Sequence, residues 1–263
     1  MKDKIKKILD FIRSFDSIAV AFSGGVDSAT LAALCVNEVN KVVAITVVSE
    51  ITPSRELKSA KKIANEIGIK HKTINLSLLE NPNFVKNTKD RCFYCKKLTL
   101  KTILDLYGRD YSAIFEGTNA DELKEHRPGY RAVVSFDKVY SPWAKFGFTK
   151  VEIRNIAEKM GLSFFNKPPL ACLATRIPFG IEIDLKKLEM IDKAENFILG
   201  FMDIEQVRVR FFNKIAVIEV EKKDIPKFLN ADKLLKRLRE IGFRGVFLDL
   251  EGYKSGKLVD LSS

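Results

Sequence analysis

The spacing of apolar positions changes several times along this chain, and each change predicts an element. Ile5, Ile8, Leu9 and Ile12 recur at helical intervals, which predicts a helix over Lys2–Phe15. The largely apolar run Ser17-Ile18-Ala19-Val20-Ala21-Phe22 then reads as a strand, followed by a helix over Ala29–Glu38. Strand and helix go on alternating: a strand over Lys41–Val48, a helix over Pro53–Ile67 started by Thr52 and Pro53 and stopped by Gly68, and a strand over Ile69–Leu76. A helix over Cys95–Tyr107 and short strands over Ser112–Phe115 and Lys138–Ser141 come next. A helix over Thr149–Met160, with a Thr149/Glu152 capping box and a Gly161 stop, completes the series. Such alternation predicts an α/β fold whose parallel sheet is covered on both faces and binds ligands at the carboxyl ends of its strands.

After Gly161 the texture changes. Asn166-Lys167-Pro168-Pro169 is a linker signal, and residues 170–180 show little periodicity. Beyond them the pattern predicts a helix over Leu185–Leu199, then a hairpin of Gln206–Phe212 and Ile215–Glu221 about Asn213-Lys214. A mostly helical Ile225–Ile241 and a closing strand Gly245–Leu250 end the series. The expected organisation is an α/β domain over 1–165, a cysteine-bearing linker over 166–180 and a smaller α+β domain over 181–263.

Composition narrows the function. A chain of 263 residues with 46% hydrophobic and 30% charged residues has the texture of a soluble globular protein. Its longest apolar stretches, such as Val42–Val48, fall far short of a membrane span, and Met1-Lys2-Asp3-Lys4 opens an amphipathic helix rather than a signal sequence. A cytoplasmic protein with no membrane partner is expected. Forty-five Lys plus Arg against 34 Asp plus Glu give a formal charge of +11, which favours nucleotides, phosphorylated small molecules or RNA. Lysines along Lys58–Lys62 and Lys186–Lys193, however, have the helical spacing to glutamates of a solvated, salt-bridged face. Only 22 residues precede Ser23, leaving no room for an amino-terminal RNA-binding module, and the second domain lacks an aromatic and basic stacking surface. A nucleic-acid partner is therefore not expected.

The first strand runs directly into Ser23-Gly24-Gly25-Val26-Asp27-Ser28 and then into a helix. The two glycines let the backbone turn without Cβ clashes, and the helix start presents N–H groups to phosphate. The spacing is neither G-x-G-x-x-G nor G-x-x-x-x-G-K-[ST]. Ser23 and Ser28 add hydroxyl donors. Asp27 would repel a polyphosphate unless a cation lay between them, so it is a candidate Mg²⁺ ligand; it would also serve as a helix N-cap, and the two roles can coexist. The loop resembles the PP-loop of the ATP pyrophosphatases, which split ATP into AMP and pyrophosphate. Glu116-Gly117-Thr118-Asn119-Ala120-Asp121 follows another predicted strand and so falls on the same sheet edge. Taken alone it is a turn. The resemblance implies that Thr118 and Asn119 lie beside the ATP phosphates, that Asp121 is a second acidic candidate for the metal, and that adenine meets backbone groups around Thr46–Ser49.

Four cysteines are not expected to act as disulfide staples here. Cys35, amid Leu31, Ala32 and Leu34, reads as a small buried hydrophobe. Cys92 and Cys95 form a C-x-x-C, whose thiolates can share a metal, exchange with a disulfide or hold an iron–sulfur cluster. Cys172 stands in the aperiodic segment, where Arg176 is a candidate to steady its thiolate. Three soft ligands from two loops suffice for a four-iron four-sulfur (4Fe-4S) cluster with one open iron, the alternative being scattered thiols; the lack of a fourth ligand of this kind weighs against a Cys₄ zinc site.

Several further motifs appear in order: R-C-F-Y-C-K-K at Arg91–Lys97, E-G-T-N-A-D-E at Glu116–Glu122, H-R-P-G at His126–Gly129 and S-P-W at Ser141–Trp143. K-V-E-I-R-N-I-A at Lys150–Ala157, K-P-P-L-A-C-L-A-T-R-I-P-F-G at Lys167–Gly180 and V-R-V-R at Val207–Arg210 follow. Together they resemble the LarE family of ATP-dependent sulfur transferases, over nearly the whole chain. The resemblance implies adenylylation of a carboxylate of pyridinium-3,5-biscarboxylic acid mononucleotide and its conversion to a thiocarboxylate, with ATP and Mg²⁺. It implies that Cys172 bears the sulfur, and that the three-cysteine pattern goes with a cluster resupplied by a sulfide or persulfide donor. In single-cysteine members the cysteine instead gives up its own sulfur and ends as dehydroalanine. Arg208 and Arg210 match a pair that holds the substrate phosphate, and alternation on a strand puts them on one face. Glu219 either joins them or forms a cross-strand salt bridge. The second domain is also expected to carry the contacts of a homo-oligomer. A PP-loop tRNA thiolase and an amidating ligase of the NAD or GMP synthetase kind are the rival readings.

Overall fold

The computed structural model describes residues 2–124, 128–169, 171–229 and 231–254. His126 and Arg127 of the H-R-P-G motif lie outside them. The chain divides into two compact units, the first made of Met1–Ser49, Arg55–Leu78 and Asp90–Leu170, the second of Glu50–Ser54, Leu79–Lys89 and Ala171–Ser263.

In the first unit, β1 (Ser17–Ala21), β2 (Lys41–Val48), β3 (Lys70–Asn75), β4 (Ala113–Phe115) and β5 (Val139–Tyr140) form a sheet in the order β3-β2-β1-β4-β5. Every pairing is parallel, with Ala19 opposite Val43 on one side and Ile114 on the other. The helices are α1 (Lys2–Arg13), α2 (Val26–Glu38), α3 (Ser54–Ile67), α4 (Pro82–Val85, in the second unit) and α5 (Arg91–Tyr107). The short α6 (Ala120–Lys124), α7 (Pro128–Val133) and α8 (Pro142–Lys145) and the longer α9 (Lys150–Lys159) follow. Alternate residues of the central strands enter opposite cores. Ile18, Val20 and Ala44 pack with Ile8, Ile12, Leu31 and Ile153 of α1, α2 and α9, whereas Ala19, Val43, Ile45 and Ile114 pack with Leu100 and Ile103 of α5. That is why these strands read as near-continuous apolar runs. The Thr149/Glu152 capping box starts α9 as its sequence predicts.

Two helices begin earlier than their periodicity suggests. The helix after the glycine loop starts at Val26, with Gly25 at the N-cap (φ −81°, ψ 160°) and no side chain capping it. Asp27 is thus the second residue of α2, not its cap. The buried Trp143 indole donates to the Asp27 carbonyl at 2.9 Å and pins this first turn. The C-x-x-C likewise lies inside the first turns of α5, which starts at Arg91, and not in a loop before Cys95. There Arg131 of α7 pairs with Asp90 at 3.1 Å and lies 5.0 Å from the Phe93 ring, so tertiary contacts hold residues that carry no apolar period.

The second unit carries α10 (Leu185–Phe201), β6 (Val207–Phe212), β7 (Ile215–Val220), α11 (Asp232–Ile241) and β8 (Gly245–Leu248). β6 and β7 form the predicted antiparallel hairpin, with Asn213 and Lys214 at φ 48° and 65°, the positive angles a two-residue turn of matching twist needs. β8 adds parallel to β7. The helix expected over Ile225–Ile241 is divided into a 3-10 segment, Lys222–Phe228, with Pro226 inside it, and α11. Residues 79–89 join this unit through the buried Asn87, whose side-chain amide donates to the carbonyls of Ile177, Pro178 and Ile181 at 3.3, 2.7 and 2.8 Å. Among the described residues, no helix is long and apolar enough to cross a membrane.

Candidate functional site

Strand order reverses at β1, with β2 on one side and β4 on the other, and a sheet that reverses in this way opens a crevice at the carboxyl ends of those strands. The loops after β1 and β4 meet there. Gly24 has φ +71°, and a Cβ on it would lie 2.8 Å from the Ala60 Cα and Cβ, so only glycine fits. A Cβ on Gly117 would lie 2.9 Å from the Ser28 nitrogen, which sets the second loop directly against the start of α2.

Ser23 and Ser28 brace each other: the Ser28 hydroxyl accepts from the Ser23 N–H at 3.2 Å and lies 3.0 Å from the Ser23 hydroxyl. The Ser23 hydroxyl in turn accepts from the Gly25 N–H at 3.2 Å. With no side chain capping α2, its first-turn N–H groups suit an anion. The carbonyl just before this loop, of Phe22, accepts from the Thr46 hydroxyl at 2.7 Å. That hydroxyl has one proton, so the His71 Nε2, 2.8 Å away, must donate to it. Burial and the nearby Lys61 hold the His71 imidazole below the ordinary histidine value, favouring the neutral ring.

Asp27 and Asp121 are brought to common neighbours. Lys150 contacts both, its ammonium 3.5 Å from Asp27 and its backbone N–H donating to Asp121 at 2.9 Å. The Asn119 amide donates to Asp27 at 3.4 Å, while its oxygen accepts from the backbone of Asp121 and Glu122. The Thr118 hydroxyl donates to Glu116 at 2.8 Å. Two carboxylates in this setting suit Mg²⁺, which keeps several waters and takes one or two carboxylates. Among the described residues, no three His, Cys, Asp or Glu side chains are gathered as a ready metal-ligating group.

Sequence reasoning missed the network behind these loops. Glu116, 1% exposed, accepts from the Thr118 N–H and hydroxyl, the Ser141 hydroxyl and, at 2.6 Å, the Lys96 ammonium. Burial pushes the Glu116 carboxyl up, but the Lys96 charge and these hydrogen bonds outweigh it and hold the group below the usual carboxylate range. Burial likewise pulls the Lys96 ammonium down and Glu116 more than restores it, so it is held above ordinary lysine. A carboxylate opening the G-T-N segment and a lysine after the C-x-x-C were the available signals, but neither spacing places one on the other.

A depressed carboxyl stabilises the fold fully above its unfolded value, about 4.3, and that stability is lost as pH falls through its lower folded value. Glu116→Gln should therefore be less stable than wild type at neutral pH, by about 2 kcal/mol because solvent screens the part-exposed Lys96. The difference should shrink below about pH 4. Thermal melts between acid and neutral pH test this, and acid limbs that stay parallel would remove Glu116 as their cause.

In the second unit Cys172 precedes a 3-10 turn, Leu173–Arg176. The fully buried Arg176 is not aimed at the thiol. Its guanidinium donates to Glu195 at 2.8 and 3.0 Å and to the carbonyls of Ala171 and Cys172 at 2.9 Å each. Glu195 also accepts from the Val209 N–H of β6 at 3.0 Å, so one ion pair joins the cysteine turn to that strand. Arg210 donates to the Thr175 carbonyl at 2.8 Å and pairs with Glu219 across the hairpin at 2.7 Å. Glu219 thus forms the cross-strand salt bridge, with Arg210 rather than with its register partner Arg208. Arg208 and Arg210 are both buried, and the Arg210 Nε has no partner among the described residues. A buried donor so left suits an anion's oxygen. No disulfide joins cysteines among the described residues: Cys92 is exposed, Cys95 and Cys172 are half-buried, and burial pushes the Cys35 thiol far above its ordinary value.

The chain is similar to several known proteins. The profile of the family described as queuosine biosynthesis protein QueC matches residues 17–92. A protein of Synechocystis sp. described as uncharacterized is 35% identical over 98% of this chain and 97% of its own length. The pyridinium-3,5-bisthiocarboxylic acid mononucleotide synthase of Lactiplantibacillus plantarum is 30% identical over 95% of this chain and 91% of its own. The tRNA-specific 2-thiouridylase MnmA of Halothermothrix orenii is 26% identical over only 58% of this chain and 54% of its own.

Proposed function

The chain belongs to the LarE family, that of the Lactiplantibacillus plantarum synthase, and from that premise we propose that its substrate is pyridinium-3,5-biscarboxylic acid mononucleotide. It is an ATP-dependent sulfur transferase. One substrate carboxylate attacks the α-phosphorus of ATP, the bond to pyrophosphate breaks, and the resulting acyl adenylate loses AMP to a sulfur nucleophile, leaving a thiocarboxylate. The activation is needed because a carboxylate oxygen is a poor leaving group. The near-full-length likeness to the synthase carries this reading, against a likeness to the tRNA thiolase that stops short of two thirds of the chain. Incubation with ATP, Mg²⁺, a sulfur source and the biscarboxylate mononucleotide should yield AMP, pyrophosphate and a product with one oxygen exchanged for sulfur by mass spectrometry. Release of ADP and inorganic phosphate would overturn the assignment.

The geometry supports the following roles. Gly24, Gly25 and the first turn of α2 would cradle the pyrophosphate, with Ser23, Ser28, Thr118 and Asn119 keeping the two loops in shape. Asp27 and Asp121 would hold Mg²⁺, which supplies charge neutralisation on the leaving pyrophosphate. Arg208 and Arg210 would bind the substrate phosphate, with Glu219 orienting Arg210. Arg210→Ala should raise the substrate KM roughly ten- to a hundredfold, the worth of a charge-assisted contact, with the ATP KM near wild type. Equal losses for both substrates would point to a folding defect.

Cys172 would serve the sulfur transfer, either as a ligand of a sulfide-binding cluster or by giving up its own sulfur. The donor chemistry of Cys92, Cys95 and Cys172, three thiols that are not deeply buried, fits a 4Fe-4S cluster, and these residues would hold it. Such a cluster, when bound, would leave one iron open to sulfide, supplied by an external sulfide donor or by a persulfide that a second thiol reduces, with a disulfide formed. The second unit would also carry the contacts of a homo-oligomer.

A further inference from the structure

We infer that Lys167 is a positioning residue for the phosphate loop, fixing through the Gly24 carbonyl the direction of the peptide that leads into α2. The inference rests on the reading of that loop as the ATP site. Lys167 opens the K-P-P-L-A-C segment, yet its side chain reaches back within the first unit. Its ammonium donates to the Gly24 carbonyl at 3.0 Å, to Glu56 at 3.0 Å and to the Ser59 hydroxyl at 2.7 Å. Three N–H donors thus meet three acceptors, and at 17% exposure little solvent competes for them.

The loop needs such a tether. Two successive glycines lose more conformational freedom on ordering than any other pair, so Ser23-Gly24-Gly25 is not held by its own backbone preferences. One side of Gly24 is pressed against Ala60, and Glu56, Ser59 and Ala60 lie on successive turns of the same helix, α3. Lys167 takes hold of the carbonyl. Because the peptide is planar and trans, fixing that carbonyl fixes the opposed Gly25 N–H, which donates to Ser23. The Gly25 carbonyl in turn accepts from the Ala29 N–H at 2.9 Å and so sets the first turn of α2. Freed of Lys167, the loop would have to order when nucleotide binds, and affinity would fall by that ordering cost. Glu56 already neutralises the ammonium, so the effect is one of geometry and should change little with salt, unlike direct attraction of phosphate.

The test is titration calorimetry of the full chain with α,β-methylene-ATP and Mg²⁺. Lys167→Met should bind about tenfold more weakly, with a similar ratio at low and high salt. It leaves the Glu56 carboxylate without its ammonium and should also melt lower. Lys167→Met/Glu56→Gln removes that carboxylate, so its Tm should recover while its affinity does not. Wild-type-like affinity in the single variant, or affinity that returns together with Tm in the double variant, would overturn the inference and leave Lys167 a structural ion pair. Wild-type protein that does not bind the probe would instead overturn the reading of the loop as the ATP site, and the inference with it.

Discussion

Cys172→Ser should abolish thiocarboxylate formation, by a factor of at least about a thousand, while a single-turnover burst of ATP-dependent pyrophosphate release remains. The substitution exchanges sulfur for oxygen and little else. The Cys172 carbonyl accepts from the Thr175 N–H and hydroxyl at 3.0 and 2.7 Å and from Arg176, and these bonds hold the turn independently of the thiol. The turn should therefore survive, as a circular dichroism melt would show. Sulfur transfer by the serine variant, measured by mass spectrometry of the product, would remove Cys172 from the role. Cys35→Ser is the matched control, since that thiol is buried and protonated in the core of the first unit. Intact mass after several turnovers with sulfide then separates two chemistries. An unaltered Cys172 supports the three-cysteine cluster, whereas dehydroalanine at that position would replace it with a sacrificial cysteine and leave Cys92 and Cys95 to another task.

What the sequence discloses here depends on the range over which each feature is determined. The β1 strand, the Thr149/Glu152 box and the Asn213-Lys214 hairpin are decided by neighbours within a few residues, and all are legible. The starts of α2 and α5 are not, because Trp143 pins one and Arg131 the other from more than 30 residues away. The same holds for residues 50–54 and 79–89, which cluster with the second unit through bonds such as the Leu173 N–H to the Ile51 carbonyl and the Asn87 amide to the 177–181 segment. In the candidate site, residue types announced the glycine loop and the two acidic positions. Side-chain direction was hidden: Arg176 reads as a partner for a thiolate, and its guanidinium instead donates to Glu195, two backbone carbonyls and the Thr175 hydroxyl, which a periodicity argument cannot reveal. Lys96, Lys150 and Lys167 were equally hidden among 45 basic residues, whose formal charge says nothing of which ones meet a carboxylate.

Asp27→Asn should lower the rate of AMP and pyrophosphate formation by roughly a hundred- to a thousandfold without unfolding the protein. The side chains match in size, and the fold does not depend on the charge. Asp27 stands second in α2, its backbone carbonyl held by Trp143, while among the described residues its carboxylate has only long contacts, 3.4 Å to Asn119 and 3.5 Å to Lys150. Loss of those contacts should cost about 1 kcal/mol or less of stability, the scale of a partly exposed ion pair. The catalytic loss should be far larger, because an amide is a poor Mg²⁺ ligand and the negative charge of a leaving pyrophosphate would go unbalanced. Raising Mg²⁺ should therefore recover part of the lost rate in the variant and change wild type little. Pyrophosphate release measured across a Mg²⁺ series, with Tm recorded alongside, separates the outcomes. A variant with wild-type rate at every Mg²⁺ concentration would show that Asp27 holds no metal, and one that loses rate and Tm in proportion would return it to a structural role at the start of α2.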